Sequence, residues 1–378
     1  MDIKKLNKLR RHLHKHPEVS ENEKETSETL YQFIKEYEPS NIIYPIGGYG
    51  ILATWDSGKK GSEILIRGDM DALPIQEFNE FDYKSKNEGV AHMCGHDGHS
   101  TILGGLAMHL KSKPLQSGRV HLLFQPAEEN GMGAKAVLED SKFKTINPDF
   151  VFALHNLPGY QLHEIVVKEN AFTCAVNSVI INLKGKTSHA AEPEHGLNPA
   201  EAMAEIIQRV LKKNNNNIEQ KDMRVITPVY AKLGEKDYGI SAGDATVHFT
   251  IRCLNNEQLN ALENEIVQLS KKIADKHQLK IDINFTQSFT ANMNHSEAVE
   301  IVRKAAEKND LNLSERKYPF KWGEDFGLFT TKYKGCMFGV GAGENCPALH
   351  NPDYDFPDEI IETAANVFIE IINEITEN

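Results

Sequence analysis

Short apolar runs and helical periods alternate along this chain, and the rhythm breaks once in the middle, so the chain must form an α/β sheet domain carrying a differently built second domain. Helical patterns at 3–16 and 22–37 precede strand-like runs at 51–55 and 64–67. A further helix is expected from near Ser100, where Ile102, Leu103, Leu106 and Leu110 recur at helical spacing. Strands at 119–124 and 150–154, with a short helix between them, continue the alternation of a sheet covered on both faces. From about 175 the order becomes strand 178–183, helix 199–213, strands near 224–232 and 244–253, helix 256–277 and strand 281–285. That βαββαβ order predicts an antiparallel sheet with two helices. Beyond 290 the first rhythm resumes with a helix at 296–308, an apolar run at 336–340 and a closing helix near 358–376. The chain's 378 residues exceed the size at which one core keeps growing. The expected organisation is therefore a catalytic domain at 1–174 and 289–378 with an inserted α+β domain at 175–288.

Charge and cysteine usage exclude several classes. A formal net charge of -12 does not supply the clustered cations of a nucleic-acid-binding face. The basic run from Lys4 to Lys15 reads as the outer face of an amphipathic helix with Leu6, Leu9 and Leu13 on the other side. No stretch approaches the roughly eighteen apolar residues of a membrane span, and the N-terminus starts with charged residues instead of a signal-peptide core. Five scattered cysteines do not make a disulfide framework and fit a reducing compartment. The expectation is a cytoplasmic protein with no membrane partner.

The segment Met93-Cys94-Gly95-His96-Asp97-Gly98-His99 brings a thiolate, two imidazoles and a carboxylate together, with glycines that let the backbone fold round a common centre. Further polar residues follow apolar runs, at the C-terminal ends of strands where open α/β sheets place their sites. These are Asp69 and Asp71 after Ile64-Leu65-Ile66, Glu128 and Glu129 after Leu122-Leu123-Phe124, His155 after Val151 to Leu154, and His350 after Pro347-Ala348-Leu349. Each alone is more often just a hydrogen-bonded strand-end residue; together with Cys94 and His96 they offer enough N, O and S donors for two metal ions. Two such ions lower the pKa of a shared water and clamp an oxyanion. Adjacent carboxylates at a strand end point differently, so one can bind metal while the other carries protons. The chain reads as a metal-dependent hydrolase.

The set Arg67-Gly68-Asp69-Met70-Asp71-Ala72-Leu73-Pro74, Met93 to His99, Gln125-Pro126-Ala127-Glu128-Glu129, Ala153-Leu154-His155-Asn156, Gly185-Lys186-Thr187-Ser188-His189-Ala190-Ala191 and Ala348-Leu349-His350-Asn351-Pro352 resembles the amidohydrolase branch of the aminoacylase/carboxypeptidase metallopeptidase family. Hippurate hydrolase, auxin-conjugate hydrolases and N-acetyldiaminopimelate deacetylase belong to that branch. The resemblance runs from Arg11-His12-Leu13-His14 to the last helix. It implies Cys94, His96, Glu129, His155 and His350 as metal ligands, Glu128 as general acid/base and Asp71 as a carboxylate orienting a ligand. It also implies that His189, on the inserted domain, reaches the active site of a second subunit and steadies the oxyanion, so that the inserted domain serves as lid and dimerisation domain of a homodimer. Arg252 is a candidate for a substrate carboxylate through its bidentate fork, with a structural salt bridge as the alternative. Where carboxypeptidase members carry a ligand His two residues before the supporting Asp, this chain has Asp69. The thiolate makes the site compatible with zinc, and with manganese or cobalt.

The implied reaction is cleavage of an N-acyl amino acid, of N-acetyl or N-benzoyl type, with an exopeptidase acting on dipeptides or a non-catalytic metal-binding protein as alternatives. Three motifs are read as structural. Gly239-Ile240-Ser241-Ala242-Gly243 matches a serine-hydrolase pattern but precedes a strand where that elbow needs a helix. His12, His14 and His16 face different directions on a helix and take solvated or capping roles. Gly339-Val340-Gly341-Ala342-Gly343 lacks dinucleotide spacing. Gly323-Glu324-Asp325-Phe326 is either a turn with a helix cap or a loop near the substrate.

Overall fold

The computed structural model describes residues 1–377, which divide into two compact units. One runs from Met1 to Phe172 and returns at Asn292–Lys317 and from Glu324 onward; the other comprises Thr173–Ala291 with Tyr318–Gly323.

The first unit is built on an eight-stranded mixed sheet in the spatial order Asn41–Ile46, Gly50–Asp56, Arg119–Gln125, Glu63–Asp69, Phe150–Leu157, Lys334–Gly341, Ile165–Val167, Leu313–Glu315. Four neighbouring strands, from Arg119–Gln125 to Lys334–Gly341, run parallel, so all four end on one edge. Phe150–Leu157 is buried along its whole length and Glu63–Asp69 is buried beyond its first residue, which is why both lack hydrophobic alternation. The outer strand Asn41–Ile46 pairs antiparallel with Gly50–Asp56, which pairs antiparallel with Arg119–Gln125. The sheet's core contains Ile64, Ile66, Leu122, Phe124, Phe152 and Phe338, closed by Leu6, Leu9, Leu103, Leu106, Phe368 and Ile372 from helices. Each fully buried large apolar side chain contributes about 1.5–3 kcal/mol.

Helix Ile3–Lys15 buries Leu6, Leu9 and Leu13 as its amphipathic pattern predicts, and Asp2 caps it by accepting from Lys5 N–H at 3.1 Å. It also buries Arg10 and His14, and here the expectation for His14 fails. Its ring lies between Asp97 Oδ2 at 2.9 Å and Glu77 Oε1 at 3.2 Å, fully away from solvent. The helix expected from near Ser100 begins earlier, at His96. Gly95 makes this possible with φ 99°, a conformation that glycine adopts freely, while a Cβ there would meet the Asn156 side chain at 2.6 Å.

The second unit has a four-stranded antiparallel sheet in the order Arg224–Leu233, Asp244–Cys253, Ala175–Lys184, Lys280–Phe289. Helices Ala200–Leu211 and Asn256–Lys276 complete the βαββαβ order read from the sequence. Ala245, Val247, Phe249, Ile251 and Cys253 alternate into a separate core, as expected for a sheet with one covered face. Among the described residues no helix is long and apolar enough to cross a membrane.

Candidate metal centre

Strand order explains where the polar residues gather. The chain leaves Glu63–Asp69 for Arg119–Gln125 on one side and then crosses back to Phe150–Leu157 on the other, and open α/β sheets place their sites at the C-terminal ends of strands where the direction reverses in this way. Asp69 ends that strand, Glu128 and Glu129 occupy the turn after Gln125, and His155 lies near the end of the third strand. His96 enters from the first turn of its helix. His350 arrives on a loop with φ 66°, its N–H bonded to Met93 O at 2.7 Å.

The five residues with implied ligand roles come together as two groups that share Cys94. Cys94, His96 and His155 offer donor atoms all within 4.8 Å of one another, and so do Cys94, Glu129 and His350. Cys94 Sγ lies 3.6 Å from His155 Nε2, and Glu129 Oε1 lies 3.8 Å from His96 Nε2 and 3.7 Å from His350 Nε2. Asp71 holds the other nitrogen of His96, with Nδ1 3.0 Å from its carbonyl and 3.1 Å from Oδ1, which leaves Nε2 facing the cluster. His155 Nδ1 is engaged in the same way by Asn156 O at 2.9 Å. Two buried atoms in this cluster, His96 Nε2 and Glu129 Oε1, have no hydrogen-bond partner among the described residues. Buried polar atoms are rarely left unpaired, and a thiol, three imidazoles and a carboxylate are the donors of a borderline-soft divalent cation. The residues fit a metal pair.

Without bound cations the charges press on one another. Burial pulls His96 down, but Asp69, Asp71 and Glu129 override it and raise it to about 10. Burial drives the Cys94 thiol well above its usual range, with Glu129 and Glu128 adding to the effect. Burial raises Glu129 to about 7. Glu128 is pushed well above the usual carboxylate range by burial, then by Glu324, Glu129 and Asp325. Burial, and then His99, hold His155 well below the ordinary imidazole value, in the neutral form that ligates.

Asp69 is committed to protein partners. Its Oδ2 meets Arg67 Nη1 at 2.5 Å and its Oδ1 meets His99 Nδ1 at 2.6 Å, while His99 Nε2 meets Asn156 Oδ1 at 2.6 Å. Asn156 in turn donates to Tyr354 Oη at 2.6 Å. Asp97, in the same motif as His96, turns away toward His14 and Arg10. Arg67 has no site role in the sequence motifs, yet it is the hub of the buried charges: Nη2 reaches Glu324 Oε1 at 2.9 Å and Asp325 Oδ1 at 2.8 Å, and Nε donates to Gln125 at 2.9 Å. An arginine inside an apolar strand was the available signal. Glu324 also accepts from Phe326 N–H at 3.1 Å, and Glu128 Oε1 lies 3.4 Å from Asp325 N. The segment is thus a turn closed by Glu324, without a side-chain cap on the helix Gly327–Thr330 that follows, and part of the Glu128 surroundings.

His189 and Arg252 belong to the second unit. His189 is exposed on a two-residue strand paired with Ile240–Ser241, and its Nδ1 accepts from Ala191 N–H at 3.0 Å. That bond assigns the ring proton of neutral His189 to Nε2. Arg252 donates to Lys321 O at 2.9 Å and makes no ion pair among the described residues. Ser241 lies in that short strand and accepts from Asn198 at 3.0 Å, in no strand-to-helix elbow.

Strand ends, a helix start and loops thus bring a set of donors for a metal pair to one edge of an α/β sheet, an arrangement that fits a metal-dependent hydrolase. The chain belongs to peptidase family M20/M25/M40, whose model matches residues 65–374. It is 32% identical over 366 residues to hippurate hydrolase of Campylobacter jejuni, covering 96% of this chain and 94% of that protein. It is 30% identical over 368 residues to N-acetyl-L-cysteine deacetylase of Bacillus subtilis, covering 96% and 86%. A Bacillus subtilis structure described as a dinuclear metal-binding peptidase of the M20 family superposes with TM-score 0.83 at 26% identity, covering 99% of this chain and 98% of that one.

Proposed function

We propose that the chain is a metal-dependent amidohydrolase that cleaves the amide bond of N-acyl amino acids, of N-acetyl or N-benzoyl type, to a carboxylate and a free amino acid. The observation that carries this reading is the division between adjacent Glu128 and Glu129. Both approach His96 Nε2, Glu129 at 3.8 Å and Glu128 at 4.0 Å, but Glu129 also groups with Cys94 and His350, whereas Glu128 also groups with Glu324 and Asp325. The names of the relatives supply the substrate class, since hippurate hydrolase and the deacetylase both act on N-acylated amino acids.

In this reading Cys94, His96, Glu129, His155 and His350 hold two divalent ions, zinc, manganese or cobalt. Bound there, such ions supply Lewis acidity toward water and the amide carbonyl. Asp71 keeps His96 Nδ1 as the donor, so Nε2 stays available. Glu128 accepts a proton from the attacking water at a carboxylate oxygen and returns it to the departing nitrogen as the C–N bond breaks. Its surroundings of burial and neighbouring carboxylates favour the proton-carrying form. His189 donates Nε2–H to the developing oxyanion in the site of a second subunit. Arg252, with no carboxylate partner among the described residues, takes the substrate carboxylate. The unit at Thr173–Ala291 acts as lid and homodimer contact. Five free thiols fit work in the cytoplasm.

The test is hydrolysis of a panel of N-acetyl and N-benzoyl amino acids beside unblocked dipeptides, by chelator-stripped protein before and after adding zinc, manganese or cobalt. Metal-restored cleavage of one acyl class is expected. Cleavage of the dipeptides alone would replace this reading with an exopeptidase.

A further inference from the structure

Glu23 has no place in the ligand set or the acid–base chemistry, yet it is fully buried and aimed at the turn that carries Glu128. Its Oε1 accepts from Ala127 N–H at 2.7 Å. Ala127 adopts φ 53°, in the left-handed region that residues with a Cβ seldom enter. The turn leaves it little freedom on the far side. Ala127 O accepts from Met132 N–H at 3.2 Å and Gly133 N–H at 2.9 Å, and a Cβ on Gly133 would lie 1.7 Å from Pro126 O.

The other side of Glu128 is held in a matching way. Glu129 N–H donates to Asp71 Oδ2 at 3.0 Å, and the same oxygen accepts from Ser20 Oγ at 2.7 Å. The two backbone amides that flank Glu128 are thus each bound by a buried carboxyl group. Both are tied to the segment before helix Lys24–Lys35, whose Glu18 O in turn accepts from Ala72 N–H at 2.8 Å. Glu23 Oε2 has no hydrogen-bond partner among the described residues. A buried carboxyl group with an unused oxygen is unfavourable for folding, and such local penalties concentrate at sites that serve activity.

We infer that Glu23 is a positioning residue: its carboxyl group holds Ala127 in the left-handed backbone from which Glu128 reaches Glu324 and Asp325 while Glu129 reaches Cys94 and His350. The inference rests on the proposed hydrolysis for its kinetic readout and on metal binding for an independent one. If it holds, removing the acceptor should matter only because Ala127 resists φ 53°, and glycine at 127 should make the acceptor dispensable.

Four forms of the full chain decide this: wild type, Glu23→Gln, Glu23→Met and Glu23→Met with Ala127→Gly. Gln keeps an acceptor oxygen; Met keeps the volume and removes it. On the cleaved N-acyl amino acid, Glu23→Met should lower kcat roughly ten- to hundredfold with KM within about threefold. Glu23→Gln should stay within about threefold of wild type, and Ala127→Gly should return at least about tenfold to the Met variant. Zinc titrated against a chromophoric chelator should show the weaker of two sites loosened about tenfold in Glu23→Met and recovered in the double variant. Should Glu23→Met not fold, Glu23→Ala with and without Ala127→Gly replaces it. Wild-type kcat and zinc affinity in the Met or Ala variant, or a defect that glycine leaves untouched, overturns the inference. If wild type cleaves nothing on the panel, the hydrolase reading fails, and the chelator titration alone judges the clamp.

Discussion

His96 Nε2 and Glu129 Oε1 face each other across 3.8 Å, both buried and neither with a hydrogen-bond partner among the described residues. A cation between donors of this kind relieves both, and binding to the folded chain alone stabilises it by about 2.7 kcal/mol at a hundred times Kd. Chelation is therefore expected to abolish turnover and lower Tm by several degrees, with both restored by zinc, manganese or cobalt. Differential scanning calorimetry with and without chelator checks it, and an unchanged Tm would count against a metal pair at this site.

Glu128→Gln keeps the shape and removes the proton carrier. The variant is expected to retain both ions, since Glu128 is absent from the two groups that share Cys94 and the Gln carboxamide keeps an oxygen where Glu128 approaches His96 and Glu129. Turnover should fall about 10²–10⁴-fold, the usual contribution of a positioned general acid or base. Metal content by plasma emission and initial rates on the same preparation separate the two effects; full activity would remove Glu128 from the mechanism.

The proposed role of His189 in a second subunit has a direct complementation test. Glu128→Gln and His189→Ala chains are each expected to be nearly inactive alone, the latter by about 10²–10³-fold as for loss of an oxyanion donor. Coexpressed with different tags and purified as the mixed dimer, they should recover activity, because one site then has Glu128 from its own chain and His189 from the other. Mixed dimers as inactive as the parents would place His189 in its own subunit's site or outside the chemistry.

Arg67 holds three buried carboxylates, Asp69, Glu324 and Asp325. Removing one partner of a buried ion pair costs about 3–5 kcal/mol because the others stay buried without compensation. Arg67→Met is expected to lose at least that much in urea unfolding or to fail to accumulate. Arg67→Lys, which keeps the charge but not the planar fork, should fall between. Equal stability of Arg67→Met and wild type would show that the carboxylates protonate without consequence.

The sheet, its inserted βαββαβ unit and the strand-end donors are legible because buried parallel strands and antiparallel strands leave different patterns and because two of the five candidate donors, Cys94 and His96, share one short motif. What escaped depends on contacts made far apart along the chain. Glu23 meets Ala127, His14 meets Asp97 and Arg67 meets Asp325, and none of these pairings has a local signature. The helix start at His96 was misplaced because hydrophobic spacing begins only at Ile102, while the boundary is fixed by the left-handed Gly95 against Asn156. His14 looked like a surface residue for a similar reason. Its helix face reads as basic until Glu77 and Asp97 arrive from elsewhere in the chain.

That buried histidine gives the protein a pH dependence on the alkaline side. Burial opposes its charge, but hydrogen bonds to Asp97 and Glu77 prevail and raise it from 6.5 to about 9. Because the folded value lies above the unfolded one, the stabilisation is complete below about pH 6.5 and is lost as pH climbs through about 9. The size is on the order of a few kcal/mol. The raised carboxyls of Glu129 and Asp325, each at about 7, also favour folding at lower pH, but their contribution fades on the way up to about 7, from 4.5 for Glu129 and from 3.8 for Asp325. Between pH 7 and 9 the decline should therefore be shared by His14 and His96, the latter raised to about 10, and His14→Gln removes the first share. Urea unfolding of wild type over that range should show falling stability, and His14→Gln, less stable at pH 7, should show a flatter profile. Parallel slopes in the two proteins would remove His14 as the titrating group.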